Sequence, residues 1–187
     1  MQQQTLTNLT IEYFFQKFKE KMDLLLDDNI FIGLYDKDEL EDSTWTMLFD
    51  TAIFLAVKEL NDKHGLNLSI APEEATGRGG YTDISIFSSD GKIKYFQIEH
   101  ENRPKSRIKN TRRLIKTSLE KTVYNLSKSD ANSKIIITYY FDDYKREELN
   151  KDIEQYKNKW VKSNNNANLF LFLASSDKAS EFDLIKI

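Results

Sequence analysis

Cysteine is absent, which removes disulfides, thiolate metal sites and cysteine nucleophiles together. Histidine is nearly so: His64 and His100 are the only imidazoles, too few for a multi-histidine zinc site. No apolar run reaches the length that crosses a bilayer. The start, Met1-Gln2-Gln3-Gln4-Thr5, carries neither a basic n-region nor an apolar h-region. The expectation is therefore a soluble, cytoplasmic protein with no membrane partner. Strong charge of one sign is missing too, with a net charge of −3. That balance does not announce a nucleic-acid binder, and it does not exclude one, because a local patch outweighs the total. What remains is a chain of 187 residues with an ordinary apolar and aromatic supply. It is long enough for a single domain with a sizeable core.

Two adjacent stretches concentrate the chemistry. Tyr81-Thr82-Asp83-Ile84-Ser85-Ile86-Phe87 and Lys94-Tyr95-Phe96-Gln97-Ile98-Glu99-His100-Glu101 each read as a strand, joined by the turn residues Ser89-Asp90-Gly91. Glu99 and Glu101 are two apart and share a strand face, with Gln97 on the same face and His100 on the other. Acids there are costly to desolvate unless paired, protonated or bound to a cation. Asp83 with the two glutamates makes an oxygen-only set suited to a hard cation such as Mg²⁺. Each acid taken singly is an ordinary solvated side chain.

Elsewhere the chain reads as alternating helices and strands. Residues 7–27 form an amphipathic helix through Tyr13, Phe14, Phe18, Met22 and Leu25, read as an appendage or a dimerisation element. The apolar run Ile30 to Tyr35 and an acidic loop to Asp42 follow it. Asp42-Ser43-Thr44 offers N-caps for a second helix ending at Gly65, with Phe49, Ile53, Val57 and Leu60 on its apolar face. Asp50 falls on that face; its alternative is an exposed edge near the positive end of the helix dipole. Leu66 to Ile70 reads as a first strand, and a loop containing Arg78, Gly79 and Gly80 leads to Asp83. After Asn102 comes a basic block, Arg103, Lys105, Arg107, Lys109, Arg112, Arg113 and Lys116, opening a helix to about Leu126. Such a run is by default a solvated face. Beside an acidic pair in an acidic chain, it suits a polyanion. Lys134 to Phe141 reads as a central strand covered on both sides, Arg146 to Lys162 as a helix, and Leu169 to Ala174 as a last strand.

A helix, a three-strand meander carrying Asp83 and then Glu99-x-Glu101, a helix, a strand, a helix and a strand resembles the PD-(D/E)XK nuclease superfamily, the restriction-endonuclease-like fold. The resemblance spans roughly Thr44 to Ala174. It implies an α/β core over 44–187 with residues 1–43 added as a helical appendage, one domain overall. It implies Asp83 and Glu99 as metal-binding acids, Asp50 as the acid from the first core helix, and the backbone carbonyl of His100 as a further ligand. Mg²⁺ or Mn²⁺ is the implied cofactor and phosphodiester hydrolysis the implied reaction, on DNA before RNA. Glu101 would orient or deprotonate water, Gln97 would support the ligands, and Arg78 with the basic block would hold the backbone. Glu101 stands where the family usually has lysine, and Thr82 where it has proline. Double-strand cutting by one such site per chain calls for a homodimer. The rival expectations are an inactive nucleic-acid-binding or assembly subunit of the same fold, and a plain protein-interaction domain.

Overall fold

The computed structural model describes residues 9–27, 42–75, 81–101, 126, 130–140, 150–151, 153–154, 157–158, 160, 168–175 and 178–187. The basic residues Arg78 and Arg103 to Lys116, the run Ile30 to Tyr35 and its acidic loop lie outside the described residues.

Helix α1 spans Ile11–Asp27, and Thr10 caps it, its Oγ1 accepting the Tyr13 N–H at 3.3 Å. Phe14, Phe18 and Met22 recur every four residues, so they stack on one face, and all three are fully buried. That face packs on the second helix, Asp42–His64, and on the last strand, Lys178–Lys186. Phe18 lies 5.5 Å from Phe172 and 5.2 Å from Phe182 between ring centroids. The helix read as an appendage is thus a wall of the principal core. An apolar stripe this wide needs a partner, and the sheet supplies it.

Helix α2 spans Asp42–His64 and buries Phe49, Ile53, Val57 and Leu60 on its sheet side. It ends where expected, at Gly65, whose φ of 63° allows the left-handed C-terminal turn and whose N–H reaches Asn61 O at 2.9 Å. The Asn61 amide then imitates a strand neighbour. Its Nδ2 donates to Leu68 O at 2.9 Å and its Oδ1 accepts from Leu68 N at 2.7 Å, pinning the strand start to the helix.

One six-stranded sheet follows in the spatial order β1-β2-β3-β4-β5-β6. The strands are β1 Leu68–Ala75, β2 Tyr81–Ser88, β3 Lys94–Glu101, β4 Ser133–Tyr140, β5 Asn168–Ser175 and β6 Lys178–Lys186. The first three form an antiparallel meander, β3, β4 and β5 run parallel, and β6 returns antiparallel. The β2–β3 turn closes as its sequence predicts, with Gly91 at φ 69° and Ser88 N bonded to Ile93 O at 2.8 Å. Pro72 lies within β1, which is tolerable because β1 is an edge strand. The fold is α/β with a mixed sheet.

The central strand is covered on both faces. Ile135 and Ile137 join the principal core with α1 and α2, while Ile136 joins a second cluster with the helical residues Leu126, Ile153 and Trp160. Strand β6 lies beyond the last strand read from sequence. Its run Lys-Ala-Ser-Glu-Phe-Asp-Leu-Ile-Lys mixes charge with apolar residues, as an edge strand does. Phe182 nevertheless packs into the principal core.

Helices α1 and α2 are also tied by charge. Glu59 on α2 meets Lys21 and, at 3.2 Å, Lys17 on α1, and Lys63 at 2.9 Å. The Lys21 hydrogen bond, then that of Lys63, holds the Glu59 carboxyl down to about 2. A carboxylate whose folded pKa is depressed stabilises the fold above its unfolded value and loses that contribution as pH falls. Glu59→Gln should therefore remove on the order of 2 kcal/mol at pH 7 and flatten the decline between about pH 4.5 and 2. Urea unfolding across that range measures it.

Candidate functional site

The β1–β2 ladder lacks a pair where Asp83 sits. Pro72 pairs with Ile84 and Glu74 with Thr82, and between them Glu73, opposite Asp83, takes a φ of 50°. A left-handed glutamate inside a strand is strained by about 1 kcal/mol or more, a feature that clusters at functional sites. On the other side, the pairing of β2 with β3 runs from Ile84↔Ile98 toward the turn. At Asp83 the side chain takes over: its Oδ2 accepts the main-chain N–H of His100 at 2.8 Å.

The His100 ring is the meeting point. Its Nε2 lies 3.0 Å from Asp50 Oδ1, and its Nδ1 lies 3.4 Å from Asp83 Oδ2. The ring side chain is 8% exposed, against 46% for Asp50 and 37% for Asp83. Phe49, next to Asp50 on α2, flanks it with ring centroids 6.3 Å apart. Both readings of Asp50 thus hold a part: it is near the core side, and it keeps water contact.

Glu99 occupies the other face of β3. It pairs in the parallel ladder with Ile136 of the second cluster, and is 7% exposed. Gln97 shares that face; it is 1% exposed, and its Nε2 lies 3.3 Å from the Thr82 hydroxyl. Glu101 ends β3, and its side chain lies outside the described residues.

One of these placements corrects the sequence reading. His100 does face away from Glu99, but it does not face away from the acids, because Asp50 and Asp83 come to its ring. Strand alternation alone does not foresee this, since it assumes an unbroken ladder at Asp83 and ignores what α2 projects onto the sheet. Glu99, Asp83 and Asp50 have the oxygen chemistry for Mg²⁺. Among the described residues, however, no group of three or more His, Cys, Asp or Glu side chains is placed to hold a metal ion. As arranged, the described side chains bring two acids to one imidazole rather than three to one cation.

Sequence reasoning also passed over Lys134. It pairs with Gln97 in the β3–β4 ladder, so it shares the face of Gln97 and Glu99, and it is fully buried. Its Nζ sits 5.2 Å from the centre of the Trp160 ring, a cation–π contact. Burial pulls its pKa down to about 8, with the Asp130 charge opposing. A lysine opening an otherwise apolar strand run was the signal available. Between about pH 8 and 10.5 the folded lysine is neutral while the unfolded one is still charged, so stability should rise with pH through that window. Lys134→Met should abolish the rise, leaving stability flat between about pH 8 and 10.5. Urea midpoints of both proteins at pH 7 and pH 10 give the comparison.

No family model matches the chain, and no curated protein matches it. Among solved structures, the chain is similar to that of SfsA from Pyrococcus furiosus in complex with Ca²⁺, at 12% identity and a TM-score of 0.36. That alignment covers 81% of this chain and 66% of the other, so the chain spans just under two thirds of that protein's length. A likeness this slight transfers no residue and no activity. No described helix is long and apolar enough to cross a membrane.

Proposed function

We propose that the chain is a divalent-cation-dependent phosphodiesterase of the PD-(D/E)XK type acting on nucleic acid, DNA before RNA. The observation that carries this reading is the meeting of two acids, Asp50 and Asp83, at His100, at the end of β3 where Glu99 also lies. The buried Glu99 immediately precedes His100, with its side chain on the opposite face of β3. A core helix, a second strand and a third strand each contribute one acid, in the order the resemblance implies. The irregular backbone opposite Asp83 supports the reading, because strain is retained where function repays it. The basic block from Arg103 to Lys116 follows the third strand directly and has the composition to hold phosphates.

A second reading, an inactive nucleic-acid-binding or assembly subunit, is favoured by one specific observation. Asp50 and Asp83 are engaged with an imidazole, and Glu101 stands in the family's lysine position. Cleavage divides the two. Supercoiled plasmid, single-stranded DNA and RNA are incubated with Mg²⁺ or Mn²⁺, with EDTA as control. The proposal expects cutting that EDTA abolishes. Salt-sensitive binding without cutting selects the inactive subunit, and neither activity removes both.

A further inference from the structure

The outer surface of the two helices carries a protruding ring and, beside it, a groove. We propose that this surface is a contact between two copies of the chain, in which Phe54 of each copy seats in the groove between α1 and α2 of the other. The contact requires no cation and no substrate.

Phe54 is the most exposed of the large apolar side chains among the described residues, at 59%. It lies on the water side of α2, whereas Phe49, Ile53 and Val57 face the sheet. Met47, two turns earlier, continues the same exposed stripe. Toward α1 the helices leave a groove of about 260 Å³. Half-buried Leu55 and exposed Leu24 give it an apolar lining. Lys58, one turn after Phe54, also lines the groove, so ring and groove are neighbours on one surface. A cavity of about 150 Å³ takes up benzene, so this groove has room for a phenyl ring. An exposed phenylalanine that enters it removes apolar surface from water on both copies.

The charges choose the occupant. Lys21, Lys58 and Lys63 line the groove together with Glu59 and Asp62. A nucleic-acid backbone would meet the two acids, and a peptide of one charge would meet its own sign. A two-fold contact sets a surface against itself, so that surface has to carry both signs. Glu59 stays with Lys21 and Lys63 of its own copy. The exposed pair Lys58–Asp62 loses little by turning to the other copy, because such pairs contribute little where they are. An aromatic ring in a recess with a charged rim is the usual anatomy of an interface hot spot. The surface is small, which places the dimer in the weak class, with a dissociation constant on the order of 1–100 µM.

Sedimentation velocity of the whole chain across that range is the test. The wild type should pass from monomer to dimer. Phe54→Glu should raise the dissociation constant by at least about thirtyfold. Its melt at low concentration should match the wild type, because the side chain is exposed. Ile93→Glu, which replaces another exposed apolar residue between β2 and β3, should leave association unchanged. Cross-linking then reads the geometry. The chain has no cysteine, so the Phe54→Cys and Leu24→Cys proteins each carry one thiol. A dimer of the two unlike copies keeps one ring in one intact groove and brings the two thiols together at the other. Air oxidation of the mixture should therefore yield more covalent dimer than either protein alone. A wild type that stays monomeric throughout overturns the proposal and leaves the surface to a different partner. A dimer that Phe54→Glu leaves intact, or a mixture that cross-links no better than its components, overturns it equally.

Discussion

Glu99→Gln should lower cation-dependent cleavage by about a hundred- to a thousandfold while leaving nucleic-acid binding in place. The substitution keeps the shape of a 7% exposed side chain and removes its charge. Buried on β3 beside Ile136, Glu99 has no route to being a merely solvated acid. A buried carboxylate is costly unless it is paired, protonated or bound to a cation, and the proposal assigns it the cation. Shape-preserving replacement separates that role from packing. The assay is plasmid cleavage against Mg²⁺ concentration, with gel-shift binding and a thermal melt in parallel. Undiminished cutting by Glu99→Gln would place the chemistry elsewhere on the molecule. A loss of cutting with a normal melt and normal binding is the expected pattern.

Phe18→Ala should cost about 3–5 kcal/mol, a large share of the roughly 5–15 kcal/mol that a domain has in total. Phe18 is fully buried and touches the aromatic rings of Phe49, Phe172 and Phe182, which come from α2, β5 and β6. Its removal opens a cavity where helix meets sheet, with rings on three sides that cannot all close in. Urea unfolding gives the value directly. A loss below 1 kcal/mol would show that α1 is an appendage after all. The same experiment on Leu24, 46% exposed on the outer side of the helix, should change little.

Local sequence was a good guide wherever one element decided its own fate. The four-residue recurrence of Phe14, Phe18 and Met22, the glycine after His64, the Ser-Asp-Gly turn and the triple isoleucine of β4 each state a helix, a stop, a hairpin and a two-faced strand in short range. Each rests on geometry within a few residues. The acids were legible as candidates for the same reason, because a carboxylate within a strand is a local anomaly.

Other features depend on residues far apart. Strand β6 has a mixed, charged sequence, and only its antiparallel ladder with β5 makes it a strand. Whether α1 belonged to the core or to a partner depended on a sheet built from residues beyond position 68. Lys134 looks like the polar end of a strand, and burial is what moves its pKa.

The amino-acid order alone pointed to an α/β chain, excluded thiol chemistry, and marked Asp83 and Glu99 as acids out of place. The tertiary structure decided their company. Where the β1–β2 ladder lacks a pair, the Asp83 carboxylate reaches the His100 N–H, and α2 brings Asp50 to the His100 ring from fifty residues away. Periodicity within a strand fixes the face of a side chain only while the strand stays regular. Contact between elements is set by packing, which no single stretch of sequence contains.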